Sequence, residues 1–193
     1  ATEAAAAGDP GSAARIWQEL LPWVRRHAPQ GSAMLPQSLL QLGSVQHGLG
    51  QLSQAEASYR EALLHARGLE PARPTLVAAL LNNQADLHLD LEHFAQARAL
   101  LEESLRIKTA ALGPDHLEVG IGRSNLGDLL RDLGDETAAA EQFRASLEAL
   151  TPLAGEHPLA LAAALNNLSR PSNNAEIGQR LVLLLPVPNS SGS

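Results

Sequence analysis

The chain contains no cysteine, and aromatic residues make up only 3% of its 193 residues. The absence of cysteine excludes disulfides, thiolate metal ligands and cysteine nucleophiles together. Hydrophobic residues reach 45%, so alanine and leucine must supply most of the core. Both are strong helix formers, and an all-α fold is therefore expected.

Positive charge is also scarce. The sequence has 14 Lys and Arg against 21 Asp and Glu, a net charge of −7, and its single lysine is Lys108. Because phosphate binding needs a stripe of basic side chains, we expect no nucleic-acid partner. The alanine-rich, lysine-poor usage is typical of a high-GC bacterial source.

No long hydrophobic run is present. The longest, Leu181 to Leu185, is too short to span a bilayer, and no targeting signal is visible. The sequence therefore predicts no membrane partner and a cytoplasmic location.

A 42-residue period runs through the chain. We call a set of positions 42 residues apart a column, and three columns keep one residue type. One is alanine, at Ala13, Ala55, Ala97 and Ala139; another is a large apolar residue, at Trp17, Tyr59, Leu101 and Phe143. The third is leucine, at Leu21, Leu63, Leu105 and Leu147. Two less regular columns are Gly8, Gly50, Glu92 and Gly134, and Gln41, Asn83, Asn125 and Asn167. Such a period indicates a solenoid, in which each repeat buries its apolar face only against its neighbours.

Each repeat is predicted to contain two helices. Apolar spacings of three and four place helix A at 36–49, 75–90, 117–132 and 158–169, and helix B at 11–27, 52–67, 94–111 and 136–150. A short turn, where glycine can adopt a left-handed conformation, separates A from B. Stretches containing Pro and Gly join one repeat to the next.

These boundaries predict a repeat array over residues 1–170. It has a partial unit at 1–31, whole units at about 32–73, 74–115 and 116–157, and a partial unit at 158–170; residues 1–7 look like the end of an earlier helix A. Pro171 should end the last helix A. Residues 171–193 are predicted to form a capping helix, with a swapped dimer or a non-repeat tail as alternatives.

Two sequence patterns resemble a known family. Leu-Gly at 42–43 and 126–127, then Gly50 or Gly134 and Ala-x3-Tyr or Ala-x3-Phe, resembles the tetratricopeptide repeat. The usual period of that repeat is shorter, at about 34 residues. Leu-Asn-Asn at 81–83 and 165–167, with Leu-Gly-Pro-Asp-His at 112–116, resembles the 42-residue kinesin light chain subtype. The resemblance implies a right-handed superhelical solenoid of antiparallel helix pairs.

The resemblance also implies a non-enzymatic module that binds a peptide or partner helix in a groove lined by the A helices. The implied groove residues are Gln41, Ser44, Asn82, Asn83, Asp86, Asp90, Asn125, Asp128, Arg131, Asp132, Asn166, Asn167 and Arg170. The four aspartates, expected to be mostly exposed, favour a neutral to basic partner. Arg131 and Arg170 offset them in part and could instead clamp a carboxylate.

Other interpretations stay open at this stage. The asparagines could bond to neighbouring helices rather than to a ligand. The chain could also be a structural or regulatory segment that self-assembles through its ends or tail, or that serves a missing effector domain. We expect a monomer or a tail-mediated homodimer.

The sequence offers no chemistry for catalysis. Its seven histidines form no His-Glu-x-x-His pattern, and no glycine-rich phosphate loop follows a strand. Adjacent carboxylates such as Glu102 and Glu103 diverge by about 100° around a helix and cannot share a substrate. We therefore expect no metal, no cofactor and no enzymatic activity.

Overall fold

The computed structural model describes residues 10–69 and 72–169. This part of the chain forms α1 (Pro10–His27), α2 (Met34–Gly48), α3 (Leu52–Arg67), α4 (Pro74–Asp90), α5 (Phe94–Leu112), α6 (Leu117–Asp132), α7 (Glu136–Leu150) and α8 (Pro158–Ser169). A short 3₁₀ turn at Thr151–Leu153, which the sequence did not predict, follows α7. The predicted stub at 1–7 and the predicted cap at 171–193 lie outside the described residues.

The predicted alternation of helix B and helix A is confirmed. Every helix begins and ends within two residues of its predicted first and last residues. The A helices are α2, α4, α6 and α8, and the B helices are α1, α3, α5 and α7. The chain divides into two compact bodies, Ala1–Gly113 and Pro114–Ser193. The first contains α1 to α5 and the second contains α6 to α8.

The A and B helices of one repeat pack antiparallel. In the second body, Gly127 near the end of α6 faces Phe143, while Gly120 near its start faces Leu150 further along α7. A buried hydroxyl supports the pair, because Ser146 Oγ donates to the carbonyl of Gly120 at 2.7 Å. The same bond occurs one repeat earlier, from Ser104 to the carbonyl of Ala78.

Close contact between paired helices depends on glycine where helix B carries an aromatic ring. A Cβ added at Gly43 would lie 2.5 Å from the ring of Tyr59, and one at Gly127 would lie 2.6 Å from the ring of Phe143. Both rings are almost completely buried. Each glycine therefore provides the space that the ring of its own repeat fills.

The core of the first body is made mainly of alanine and leucine. Leu39, Tyr59, Ala62, Leu80 and Leu87 belong to one buried cluster formed by α2, α3 and α4. The alanine column is fully buried in the same way, with Ala55 and its equivalents no more than 1% exposed. The composition thus explains the packing, since small side chains let the helices approach closely.

Exposed ion pairs connect successive B helices of the first body. Arg25 on α1 contacts Glu61 on α3 at 2.7 Å, and Arg67 on α3 contacts Glu103 on α5 at 2.8 Å. The two pairs occupy equivalent positions of successive repeats. Because their side chains are a third to a half exposed, each contributes less than about 1 kcal/mol to stability.

The turns between A and B share one hydrogen-bond pattern. At the end of α2, the amide of Gln51 donates to the carbonyl of Gln46 at 2.9 Å and that of Gly50 to His47 at 2.8 Å. This pattern, a Schellman motif, requires a left-handed residue, and Gly50 has φ 71° and Gly134 φ 85°. The turn between them in the sequence, which joins α4 to α5, has Glu92 in this conformation, at φ 57°.

Glu92→Gly is expected to raise the free energy of unfolding by about 0.5 kcal/mol. The left-handed conformation costs a residue with a Cβ roughly 1–2 kcal/mol, and the greater freedom of glycine in the unfolded chain offsets part of that gain. Urea unfolding monitored by circular dichroism measures the change.

The matched control is Gly50→Ala at the equivalent turn. No atom lies within 4 Å of a Cβ placed there, so any loss of stability reports backbone conformation rather than a clash. We expect a loss of about 1 kcal/mol. If both variants were destabilised, conformational strain at Glu92 would be the wrong explanation.

Candidate protein-binding surface

Polar side chains connect the two A helices of the first body. The Nδ2 of Asn83 on α4 donates to the Oγ of Ser44 on α2 at 3.3 Å. Further along both helices, the Nε2 of His47 lies 2.8 Å from the Oδ2 of Asp90. The structure therefore brings Ser44, Asn83 and Asp90, three predicted groove residues, onto adjoining faces of α2 and α4.

Asp86 is half-buried between these contacts. The Nδ2 of Asn82 donates to its Oδ2 at 3.4 Å. Burial raises the pKa of Asp86 above its ordinary value, Asp90 raises it further, and His47 and Lys108 lower it. Because the folded-state pKa is raised, the contribution of Asp86 to stability declines as the pH rises through that pKa.

The second body repeats the contact between A helices. The Nδ2 of Asn167 on α8 donates to the Oδ2 of Asp128 on α6 at 2.9 Å. The two residues are 39 apart, as are Ser44 and Asn83. Within each body, a side chain at one position of an A helix, Ser44 of α2 or Asp128 of α6, thus accepts a bond from the asparagine of the following A helix.

Arg131 has internal partners on three sides. Its guanidinium donates to the carboxylate of Asp128 and, at 2.7 Å, to the backbone carbonyl of Asn167. Its Cζ lies 5.0 Å from the centre of the Phe143 ring. Only 6% of Arg131 is exposed, so its internal contacts leave little surface for a ligand.

The remaining predicted residues differ in exposure. Gln41, Asp132 and Asn166 are exposed, Asn125 is half-buried, and Arg170 lies outside the described residues. The expectation that the four aspartates are mostly exposed is wrong for Asp86 and Asp128. Both are half-buried, and an asparagine amide donates a hydrogen bond to each carboxylate.

One polar contact was missed by the sequence reasoning. The hydroxyl of Tyr59 donates to the Oγ of Ser44 at 3.4 Å, so a residue treated as purely apolar contributes to the polar network. Burial raises the pKa of this tyrosine. The sequence did contain a signal for this contact, because Tyr59 is the one member of its column, with Trp17, Leu101 and Phe143, that carries a hydroxyl group.

Within residues 10–69 and 72–169, no three His, Cys, Asp or Glu side chains are placed to hold a metal ion. None of the helices α1 to α8 combines the length and apolar character needed to cross a membrane.

Antiparallel helix pairs that recur with a 42-residue period define a helical-repeat protein. Tetratricopeptide repeat models match residues 76–151 and 36–64. The chain is therefore a tetratricopeptide repeat protein, and the predicted all-α fold of helix pairs is confirmed. Tetratricopeptide repeats generally mediate protein–protein interaction, and proteins built from them are typically non-enzymatic scaffolds.

Solved structures give the same fold. The chain is 24% identical to BtubC (BKLC) from P. vanneervenii, with a TM-score of 0.70 over 82% of this chain and 62% of that one. It is 15% identical to a kinesin light chain-like protein with nearly identical TPR-like repeats from Podosopora anserina, with a TM-score of 0.70 over 91% of this chain and 82% of that one.

A more distant structure is MamA, with 14% identity and a TM-score of 0.54 over 94% of this chain and 95% of that one. The comparison with curated proteins gave no match. The structural likenesses establish the fold, and this chain spans less than two thirds of the length of BtubC.

Proposed function

We propose that this chain binds a peptide or partner helix through the faces of its A helices. The observation that supports this most directly is the row of amide, carboxylate and imidazole groups along α2 and α4, described above. It recurs in part on α6 and α8. A surface of this kind offers hydrogen bonds to a peptide backbone with little dependence on the peptide's sequence.

The asparagines retain capacity for a ligand. An amide side chain has two donor hydrogens and an acceptor oxygen, and the bond from Asn83 to Ser44 uses one of the donors. That bond also holds the side chain in one orientation, which lowers the entropy lost on binding. Internal bonding and ligand contact are therefore compatible at Asn83 and Asn167.

Charge favours a neutral to basic partner. Asp90 and Asp132 are equivalent residues of successive repeats, and each occupies the last helical position, of α4 and of α6. Both face solvent at least in part, with 62% of the Asp90 side chain exposed. Arg131, next to Asp132, is already neutralised by Asp128. Exposed carboxylates attract a Lys- or Arg-containing segment and repel an acidic one.

Asp90→Asn, Asp132→Asn is expected to weaken binding of a selected peptide by about 2- to 30-fold at physiological salt, since each of the two exposed pairs contributes about 0.2–1 kcal/mol. The peptide is taken from a random display library selected on the wild-type protein. Calorimetry at several salt concentrations measures the affinity, which should fall with salt for the wild type and less steeply for the variant.

Amide chemical shifts of the labelled protein locate the site independently. Shifts concentrated on the A helices support the proposal, and Glu141→Gln on helix B is the matched control that should leave affinity unchanged. Shifts confined to the B helices, or selected peptides rich in Asp and Glu, would contradict it.

A further inference from the structure

Two histidine rings meet at the turn between α4 and α5. His88 lies in the last turn of α4, and His93 is the residue just before α5. Their Nδ1 atoms are 3.3 Å apart, and the ring centres are 5.5 Å apart. No metal is expected from the sequence, in which the two histidines belong to different helices. The turn nevertheless brings the same atom of each ring together.

The backbone of the turn holds both residues in place. The amide of His93 donates to the carbonyl of His88 at 2.8 Å, and the amide of Glu92 donates to the carbonyl of Leu89 at 2.9 Å. These bonds repeat the Schellman pattern that ends α2 and α6. Each ring therefore extends from a fixed backbone position, so a ligand that contacts both rings has little chain entropy to remove.

The separation of the two nitrogens is long for a hydrogen bond, in which the heavy atoms are usually about 2.7–3.2 Å apart. It matches instead the spacing of two ligands on one metal ion. Imidazole nitrogens lie about 2.0–2.1 Å from Zn²⁺, so two of them at a tetrahedral angle are about 3.3–3.4 Å apart. The pair is therefore spaced to hold one ion between its Nδ1 atoms.

The two rings have no other polar partner in the part of the chain that the structure describes. His93 occupies the cap position of α5, but its side chain does not cap that helix. The equivalent residues of the other repeats do have structural roles. The Oε1 of Gln46 accepts a bond from Ser58 at 2.7 Å, and the carboxylate of Asp135 caps α7. The packing of the repeat therefore does not explain the two histidines.

The charge around the turn favours a cation. Asp90 and Glu92 lie between the two histidines in the sequence, and both are exposed. The nearest arginine along the chain, Arg98, pairs with Glu102 at 2.8 Å. Nearby carboxylates lower the free energy of a bound divalent ion. The ligand type selects among such ions, because imidazole suits Zn²⁺, Cu²⁺ and Ni²⁺, whereas Mg²⁺ and Ca²⁺ prefer oxygen ligands.

We propose that His88 and His93 bind a divalent transition-metal ion such as Zn²⁺ through their Nδ1 atoms, with water in the remaining coordination positions. Structural zinc sites use four protein ligands, and within residues 10–69 and 72–169 no third His, Cys, Asp or Glu joins this pair. The ion should therefore exchange readily. While bound, it holds the end of α4 against the start of α5.

Titration of the 193-residue chain with zinc chloride tests the site. In the ¹⁵N-labelled protein, the imidazole Nδ1 signals of His88 and His93 should shift together, and the ring signals of the other histidines should stay unchanged. Calorimetry should give tighter binding for Cu²⁺ than for Zn²⁺ and no binding for Mg²⁺, because two imidazoles favour the later transition metals.

His88→Gln and His93→Gln each remove one ligand. The preceding repeat has Gln46 and Gln51 at the equivalent positions and forms the same turn, so both variants should fold. Each should lower the affinity for Zn²⁺ at least about tenfold, because losing even a group that only supports a metal ligand costs about 10- to 100-fold. His65→Gln, at an exposed histidine of α3, is the matched control and should bind Zn²⁺ as the wild type does.

Urea unfolding gives a second measurement. Because the folded chain holds the two rings together, Zn²⁺ should raise the urea midpoint of the wild type progressively with concentration and leave the midpoints of both glutamine variants unchanged. Absence of Zn²⁺ binding, or binding that both glutamine variants retain, would overturn the proposal. Ring signals that shift at His47 instead would also overturn it, since that ring lies 2.8 Å from the carboxylate of Asp90 and could hold the ion there.

Discussion

Gly127→Ala is expected to lower the free energy of unfolding by about 1–2 kcal/mol in the wild type and to raise it when Phe143 is replaced by leucine. The new Cβ would lie 2.6 Å from the Phe143 ring, and overpacking a core contact typically costs about 1–3 kcal/mol. Alanine in a helix gains up to about 1 kcal/mol over glycine. With a smaller partner the clash disappears and the helical preference remains.

The chain itself contains the combination that this experiment creates. One repeat before Gly127 and Phe143, the same positions hold Ala85 and Leu101, and both are buried. A double-mutant cycle of Gly127→Ala and Phe143→Leu, measured by urea unfolding, gives the coupling free energy. Additive effects would show that the glycine is not needed to accommodate the ring.

Arg131→Ala should destabilise the protein by about 2–3 kcal/mol. The substitution removes the cation beside the half-buried Asp128 and the donor to the carbonyl of Asn167, and it uncovers one face of the Phe143 ring. Removing one partner of a buried pair costs up to about 3–5 kcal/mol, and we expect less here because Asp128 is 38% exposed.

The loss should be concentrated at α8, because Arg131 connects α6 to that helix. Hydrogen exchange at the amides of residues 162–169 should accelerate more than exchange within α6. Asp132→Ala is the control, since this exposed neighbour should change stability by less than about 0.5 kcal/mol. Equal effects of the two substitutions would mean that the buried contacts of Arg131 contribute little.

The helices could be predicted from the sequence because two independent signals coincide. The 42-residue period aligns the apolar faces, and the residues that interrupt helices recur at the same interval, as at Gly50 and Gly134. A single repeat would have left the ends of α2 and α6 uncertain. Glutamate does not by itself indicate a left-handed conformation, but Glu92 lies 42 residues from both Gly50 and Gly134 and therefore occupies the equivalent turn.

The surface was predicted less completely. Family resemblance indicated which positions of helix A lie on one face, and the contacts of Ser44, Asn83 and Asp90 agree with a shared face. It did not indicate which of those side chains already have internal partners. Arg131 is the clearest example, because its burial depends on Phe143 and on α8, which are distant in the sequence and independent of the periodic spacing within α6.

The matching of Gly127 to Phe143 has a consequence for how such a gene can change. The two members of each matched pair lie in the two helices of one repeat, so duplication or deletion of a whole repeat leaves every pair intact. Recombination between this repeat and the one before it, at a point between the codons of the two residues, would instead combine Ala85 with Phe143 or Gly127 with Leu101 in one repeat. Unequal recombination should therefore be tolerated in the joints and selected against between the two helices of a repeat.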